Sequence, residues 1–351
     1  MAKKIDVLVV DDSAYMRKVI SNLLQLDEDI FVIDTARDGL DAIEKIKKWK
    51  PAVVTLDVEM PKLDGISALE RIMRECPTPV IMLSSLTHEG SETTVRALTI
   101  GAVDFVPKPS GTISLDIHKV REDLISKVKV AARASISNFR TSIVPAFREP
   151  KIIPRAAPGP SGKVPDRLVV IGSSTGGPNA LQQVIPRLPG NLPAAVLIVQ
   201  HMPPGFTASL AHRLNDISRM VVQEAKEGDV LENGKAYVAP GGYHMVLVSK
   251  TVIGLNQAPP VHSVRPAVDA TFESAVNFYG SGTVGVILTG MGYDGSKGMA
   301  LVKKMGGKTI VQNEETCVVY GMPRVIVEMG KADIILPIQK IADEIVSVLM
   351  T

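Results

Sequence analysis

Hydrophobic and polar positions follow two alternating rhythms along this chain. Apolar runs of about five residues, rich in valine, isoleucine and leucine, recur between longer stretches whose apolar residues return every three to four positions. The short runs predict buried strands at Ile5–Val10, Ile30–Asp34, Ala52–Asp57, Pro79–Ser84 and Val103–Val106. The longer stretches predict helices at Ala14–Leu26, Leu40–Lys48, Ile66–Glu75, Glu92–Ile100 and Val120–Ala134. Asp38-Gly39 and Asp64-Gly65 mark two of the helix starts. Such alternation predicts a parallel sheet with helices on both faces.

The rhythm then breaks. Prolines at 145, 150, 154, 158, 160 and 165, with Gly159, Ser161 and Gly162 among them, cannot sustain a helix and predict a semi-extended linker. Alternation resumes with a strand at Arg167–Ile171 and a helix opened by Pro178. It continues through Ala194–Val199, Thr207–Leu214, Gly285–Thr289, Lys297–Lys304, Lys308–Val311 and a final helix at Ile341–Leu349. Between Met220 and Gln257 the runs shorten, and Asn233-Gly234 and Gly241-Gly242 signal turns. The second half is therefore expected to be a mainly parallel α/β sheet with an antiparallel β excursion. The expected domains are 1–125 and 166–351, joined by a helix end and linker at 126–165.

Composition narrows the function classes. A length of 351 residues suits two domains, each able to bury a core without crosslinks. The net charge of +2 gives no strong field toward nucleic acid or membrane. The basic stretches Lys45–Lys50 and Lys127–Arg133 read as solvated helix faces. Cys76 and Cys317 are the two cysteines, one in each half, so a reducing compartment is expected rather than a disulfide framework. Lys3 and Lys4 lead straight into a short strand, unlike a signal peptide, and no apolar run approaches the ~20 residues of a spanning helix. These features predict a soluble, cytoplasmic protein.

Two candidate sites follow from residues at predicted strand ends, where parallel α/β sheets place their ligands. In the first half, Asp11 and Asp12 follow strand one, Asp57 ends strand three, Ser84 ends strand four and Lys108 follows strand five. Clustered carboxylates repel unless a hard cation sits among them, so Mg²⁺ held by Asp11, Asp12 and Asp57 is implied. Asp57 could then attack a phosphoryl group, with Lys108 neutralising its oxygens and the Ser84 hydroxyl bonding one of them.

In the second half, Gly172-Ser173-Ser174-Thr175-Gly176 follows a strand and puts Ser174 at the centre of G-x-S-x-G. A serine hydroxyl needs a positioned base to act as a nucleophile near neutral pH. His201 ends another predicted strand, in Gln200-His201-Met202-Pro203-Pro204-Gly205, and Asp294 follows a third. Ser174, His201 and Asp294 could serve as nucleophile, base and orienter. A rival reading is open: Gly290-x-Gly292-x-x-Gly295, with Glu314 and Glu315 further on, fits a dinucleotide fingerprint. Against it, few strand–helix units remain after Glu315.

Taken together these motifs carry a resemblance. Asp11-Asp12-Ser13, Asp57-Val58-Glu59-Met60-Pro61, Asp64-Gly65, Ser84 and Phe105-Val106-Pro107-Lys108-Pro109 resemble a response-regulator receiver domain over residues 4–125. The resemblance implies a flavodoxin-like sheet of order 2-1-3-4-5 with Asp57 as phosphoacceptor. It further implies Asp11 and Asp12 as Mg²⁺ ligands, Lys108 on the phosphoryl group, Ser84 and Phe105 as switch positions, and a cis Lys108–Pro109 bond. Gly-Ser-Ser-Thr-Gly-Gly-Pro, Gln-His-Met-Pro-Pro-Gly-Phe, Ala-Pro-Gly-Gly-Tyr-His, Ser-Val-Arg-Pro-Ala-Val-Asp and Leu-Thr-Gly-Met-Gly-Tyr-Asp-Gly resemble the catalytic domain of the chemotaxis protein-glutamate methylesterases.

That second resemblance implies hydrolysis of glutamyl γ-methyl esters on chemoreceptor helices, with glutamine deamidation and no cofactor for the ester chemistry. It also implies an oxyanion hole from backbone N–H groups near Thr175 and Met291. A chemotaxis histidine kinase is the implied phosphodonor, and the unphosphorylated receiver is expected to cover the catalytic cleft. No nucleic-acid or membrane-inserting role is implied. Arg265 could meet acidic receptor helices or pair with Asp269; His244 could face the cleft or support a turn. His88, His118, His212 and His262 carry no constellation in the sequence, and Trp49 is expected to pack.

Overall fold

The computed structural model describes residues 4–85, 87–108, 116–134 and 165–350. The Lys108–Pro109 bond and most of the expected linker lie outside them. The chain divides into two compact units, with the boundary between Val144 and Pro145.

In the first unit, strands β1 (Ile5–Val10), β2 (Ile30–Ala36), β3 (Val53–Asp57), β4 (Val80–Ser84) and β5 (Asp104–Pro107) form a sheet of order β2-β1-β3-β4-β5. Every pairing is parallel. Helices α1 (Ala14–Gln25), α2 (Gly39–Trp49), α3 (Gly65–Glu75), α4 (His88–Ile100) and α5 (Asp116–Ala131) alternate with them. Side-chain oxygens of Ser13, Asp38, Asp64 and Thr87 accept from backbone N–H groups in the first turns of α1 to α4, which sets where each helix begins. Val7–Val10, Leu56 and Ile81–Leu83 are fully buried between the helix layers. Lys127, expected on a solvated face, is instead largely buried: its Nζ donates to Phe105 O at 2.7 Å and to Asp123 at 3.0 Å. Trp49, expected to pack, is exposed and donates to Asp34 at 3.1 Å.

The second unit is built on a parallel sheet of order β14-β13-β12-β6-β7-β9-β8. Its strands are β6 (Leu168–Ser173), β7 (Ala195–Gln200), β8 (Val221–Glu224), β9 (Lys235–Val238), β12 (Thr283–Ile287), β13 (Lys308–Gln312) and β14 (Ile334–Leu336). The excursion is an antiparallel pair, β10 (His244–Leu247) with β11 (Ile253–Asn256). The short runs before it, β8 and β9, join the parallel sheet at its edge. The helices are α6 (Gly177–Val184), α7 (Phe206–Ile217), α8 (Val268–Tyr279), α9 (Ser296–Lys304), α10 (Met322–Glu328) and α11 (Ile338–Met350).

Both faces of this sheet are covered, so β6, β7 and β12 are buried at every position and read as unbroken apolar runs. Phe272 of α8 is fully buried, a contribution of roughly 2–3 kcal/mol. It lies so close to Gly298 of α9 that a Cβ there would overlap its ring. Among the described residues no helix is long and apolar enough to cross a membrane.

Candidate functional site

In the first unit the order β1-β3-β4-β5 brings four strand ends to one rim. Asp11 is fully buried, Asp57 nearly so, and Asp12 is exposed. Arg17 ties the β1–α1 turn down by donating to the carbonyls of Asp11 (2.8 Å) and Asp12 (3.0 Å). Gly65 is required at the start of α3, because a Cβ there would overlap the carbonyl oxygen of Asp57.

Lys108 Nζ stands 2.9 Å from Asp11 Oδ2 and 2.7 Å from Asp57 Oδ2. Those two buried oxygens meet its charge but no aligned hydrogen bond. Burial pushes the Asp57 carboxyl up to about 6; Lys108 opposes the shift and the Asp11 charge adds to it. Oxygens of Asp11, Asp12 and Asp57 lie within 4.8 Å of one another. Under-satisfied, mutually repelling carboxylate oxygens at this spacing fit a hard divalent cation such as Mg²⁺. Ser84, expected to reach a phosphoryl oxygen, has its hydroxyl engaged with α4: Oγ accepts from Thr94 at 2.6 Å and lies 3.2 Å from Gly90 O. Phe105 is buried.

In the second unit β12, β6 and β7 are neighbours, which brings Ser174, His201 and Asp294 to one end of the sheet. Ser173 pairs in register with Gln200, so Ser174 and His201 leave adjacent strands side by side. The ladder runs on past the strand ends: His201 N donates to Ser173 O (3.2 Å) and Ser174 N to Thr289 O (3.1 Å). Alternation turns Ser173 inward and leaves Ser174 half-exposed.

His201 Nε2 is 2.8 Å from Asp294 Oδ2. Asp294 also accepts from the backbone N–H groups of Val268 (2.6 Å), Asp269 (3.0 Å) and Gly295 (2.9 Å). Two of these donors open α8, so the carboxylate also serves as its missing N-terminal cap. Burial alone would raise the Asp294 carboxyl, but the His201 hydrogen bond and charge and these backbone donors outweigh it and hold it below its usual value. A carboxylate only accepts, so Nε2 of His201 is the donor in this bond.

Thr175 opens the turn into α6, which closes with Gly177 N donating to Ser174 O at 2.7 Å. Met291 follows Gly290, where a Cβ would lie 2.9 Å from Ser174 Cβ. Both backbones therefore border the serine.

Gln200 carries structural weight that the sequence did not signal. Its Oε1 accepts from Ser173 Oγ (2.7 Å), and its Nε2 donates to Ser174 O (2.9 Å) and His201 O (3.3 Å). Among the described residues Arg265 pairs with neither Asp269 nor another carboxylate; its Nη1 donates to the carbonyls of Gln257 and Ala258. His262 holds Asp269 instead, at 3.1 Å. His244 is buried, accepting from Ala267 N and bonding Pro259 O, as a turn support.

Comparison with known proteins gives this geometry a context. The family model described as CheB methylesterase matches residues 169–345, and that described as response regulator receiver domain matches residues 7–118. A protein of Symbiobacterium thermophilum, named protein-glutamate methylesterase/protein-glutamine glutaminase, is 55% identical over 98% of this chain and 96% of its own. A Thermotoga maritima protein of the same name is 47% identical over 97% of this chain and 98% of its own. The crystal structure of the Thermotoga maritima CheB methylesterase catalytic domain, 48% identical, covers 52% of this chain and 98% of its own, with a TM-score of 0.51.

Fold and family matches define a class: a response-regulator receiver joined in one chain to a hydrolase unit of the α/β type. More narrowly, the chain belongs to the CheB methylesterase family.

Proposed function

We propose that the chain hydrolyses glutamyl γ-methyl esters on the cytoplasmic helices of chemoreceptors, releasing methanol, and deamidates receptor glutamines. In this reading residues 1–125 are the regulatory receiver, 126–165 a helix end and linker, and 166–351 the catalytic domain. The protein works in the cytoplasm, with a chemotaxis histidine kinase as its phosphodonor. The observation that carries the reading is the 2.8 Å His201–Asp294 bond at the end of the strand beside Ser174.

Ser174 attacks the ester carbonyl while Nδ1 of His201 takes its proton. Asp294 fixes the proton on Nε2 and stabilises the imidazolium that forms. The developing oxyanion is met by the backbone N–H groups of Thr175 and Met291, at the positive end of α6. His201 returns the proton to the departing methanol, or to ammonia when the substrate is an amide. It then draws a proton from the water that cleaves the glutamyl-enzyme.

Asp57 accepts the activating phosphoryl group, and Lys108 neutralises one of its oxygens. Asp11, Asp12 and Asp57 would hold Mg²⁺, which when bound supplies further charge neutralisation there. Phosphorylation draws the Ser84 hydroxyl away from Thr94 and repositions Phe105, releasing the restraint on the catalytic half. Mass spectrometry of methylated chemoreceptor tests the activity: loss of methyl esters and conversion of glutamine to glutamate are expected. An unaltered receptor after incubation with the phosphorylated chain would contradict it.

A further inference from the structure

Beside the His201–Asp294 pair lies a second one. His262 Nε2 is 3.1 Å from Asp269 Oδ2, and the two carboxylates are neighbours: atoms of His262, Asp269 and Asp294 all lie within 4.8 Å. The pairs are built back to back. Asp294 accepts from the N–H groups that open α8, and Asp269, on that helix, accepts from Gly298 N (2.8 Å) in the first turn of α9. Since Asp269 accepts, His262 donates from Nε2.

The backbone under His262 is costly to keep. His262 and Ser263 both have positive φ, 52° and 66°, between Val261 and Val264, which exchange hydrogen bonds of 3.1 and 3.0 Å. A two-residue turn with this backbone favours asparagine and glycine. A histidine held there, with its ring aimed at a buried carboxylate, marks strain retained for a purpose. The ring also stands edge-on to Tyr293, at 4.5 Å between centroids, one residue before Asp294.

We propose that His262 is a positioning residue of the esterase reaction: it holds Asp269, whose backbone N–H donates to Asp294, and so fixes Asp294 for His201. This rests on the assignment of Ser174, His201 and Asp294 given above. The groups facing His262 are Asp269 from α8, and Tyr293 and Asp294 from the loop after β12; Arg265 is tied to Gln257 and Ala258. Two buried carboxylates this close compete for a proton. Burial raises the Asp269 carboxyl and the Asp294 charge adds to this, against the pull of the Gly298 N–H and of His262. Without His262, Asp269 takes up its proton at higher pH, and an Asp269 that is protonated and unanchored no longer holds the first turn of α8, whose N–H groups fix Asp294 for His201.

The test uses the full chain with a small phosphoryl donor and Mg²⁺, and reads labelling of Ser174 by a fluorescent fluorophosphonate across pH 5–9. His262→Asn suits the positive-φ turn but is too short to reach Asp269; His262→Gln keeps a neutral donor at the Nε2 position. We expect His262→Asn to label about tenfold more slowly near pH 7, within the range a general base commands, with its acid limb displaced to higher pH. His262→Gln is expected to restore the limb toward that of the unaltered chain. In an Asp269→Asn background, His262→Asn should have little further effect. A uniform loss of rate with no shift of the limb, or Gln and Asn variants alike, would overturn the inference. Absence of labelling in the unaltered chain is a different failure: it removes the Ser174 assignment itself, and this inference with it.

Discussion

Asp294 meets His201 at Nε2, at 2.8 Å, and this contact decides which nitrogen of the ring can act as a base. With the proton held on Nε2, Nδ1 is the nitrogen that the proposed mechanism gives to Ser174. Asp294→Asn offers an amide where the carboxylate was and favours the opposite tautomer. We expect turnover to fall by about 10³–10⁴-fold. Asp269 N and Gly295 N both donate to Oδ1 and keep the asparagine carbonyl, but Val268 N donates to Oδ2 and loses its acceptor there, so a stability loss of about 1–3 kcal/mol should accompany the lost turnover. Methanol-release rates set beside thermal melts separate the two effects.

Gln200 clamps the strand that leads to Ser174 to the strand that leads to His201. Gln200→Leu keeps the bulk but leaves Ser173 Oγ and two carbonyls without their partner. A stability loss of about 1–3 kcal/mol is expected from denaturant titration. Activity should fall further than stability, since the loops carrying Ser174 and His201 are both released. Unchanged kcat in a destabilised variant would argue that the clamp is structural only.

Gly290 touches the serine from the opposite side. A Cβ there would overlap Met322 Sδ and lie 2.9 Å from Ser174 Cβ. Gly290→Ala is expected to cost about 1–3 kcal/mol through overpacking. Shortening the neighbour with Met322→Ala should recover part of that stability without recovering activity, because the contact with Ser174 remains. Recovery of both would place the whole effect in the core.

Asp57 is a buried carboxylate whose proton affinity is raised, from 3.8 to about 6. A carboxyl that binds its proton more tightly when folded destabilises the fold wherever it is ionised. That penalty is full above pH 6, shrinks as pH falls through 6, and is gone below about 4. In Mg²⁺-free buffer at pH 8, Asp57→Asn should therefore stabilise the first unit by about 2–3 kcal/mol. The advantage should narrow toward pH 5. An equal advantage at both pH values would mean that the asparagine acts through something other than charge. The same variant should turn over at one rate with and without phosphoryl donor.

Much of this was legible from the sequence, and the reasons are physical. Strands β6 and β7 are buried on both faces, so their apolar runs are unbroken and easily read. Asp11, Asp57, Ser174 and His201 stand at or just past such runs, where position in sequence becomes position on a rim. β14 and α10, with three and seven residues, are too short for periodicity to register. The segment from Met220 to Gln257 did contain an antiparallel pair, but nothing in its turn signals told that β8 and β9 pair with the main sheet. Gln200 and the His262–Asp269 pair were invisible because their partners are set by tertiary approach. Ser173 lies 27 residues from Gln200, and Asp269 is reached only because His262 adopts a turn that histidine rarely takes. Lys127 read as solvated from its basic neighbours, whereas its ammonium bonds the Phe105 carbonyl.

We propose that a phosphoryl switch in one half governs a serine esterase in the other. The most direct test of this claim is methanol release from chemoreceptor membranes methylated in advance, with and without a small phosphoryl donor and Mg²⁺, for the intact chain and for Ser174→Ala. Donor-stimulated release by the intact chain, abolished in the variant, is the expected result. Release that ignores the donor, or that survives Ser174→Ala, would contradict the claim.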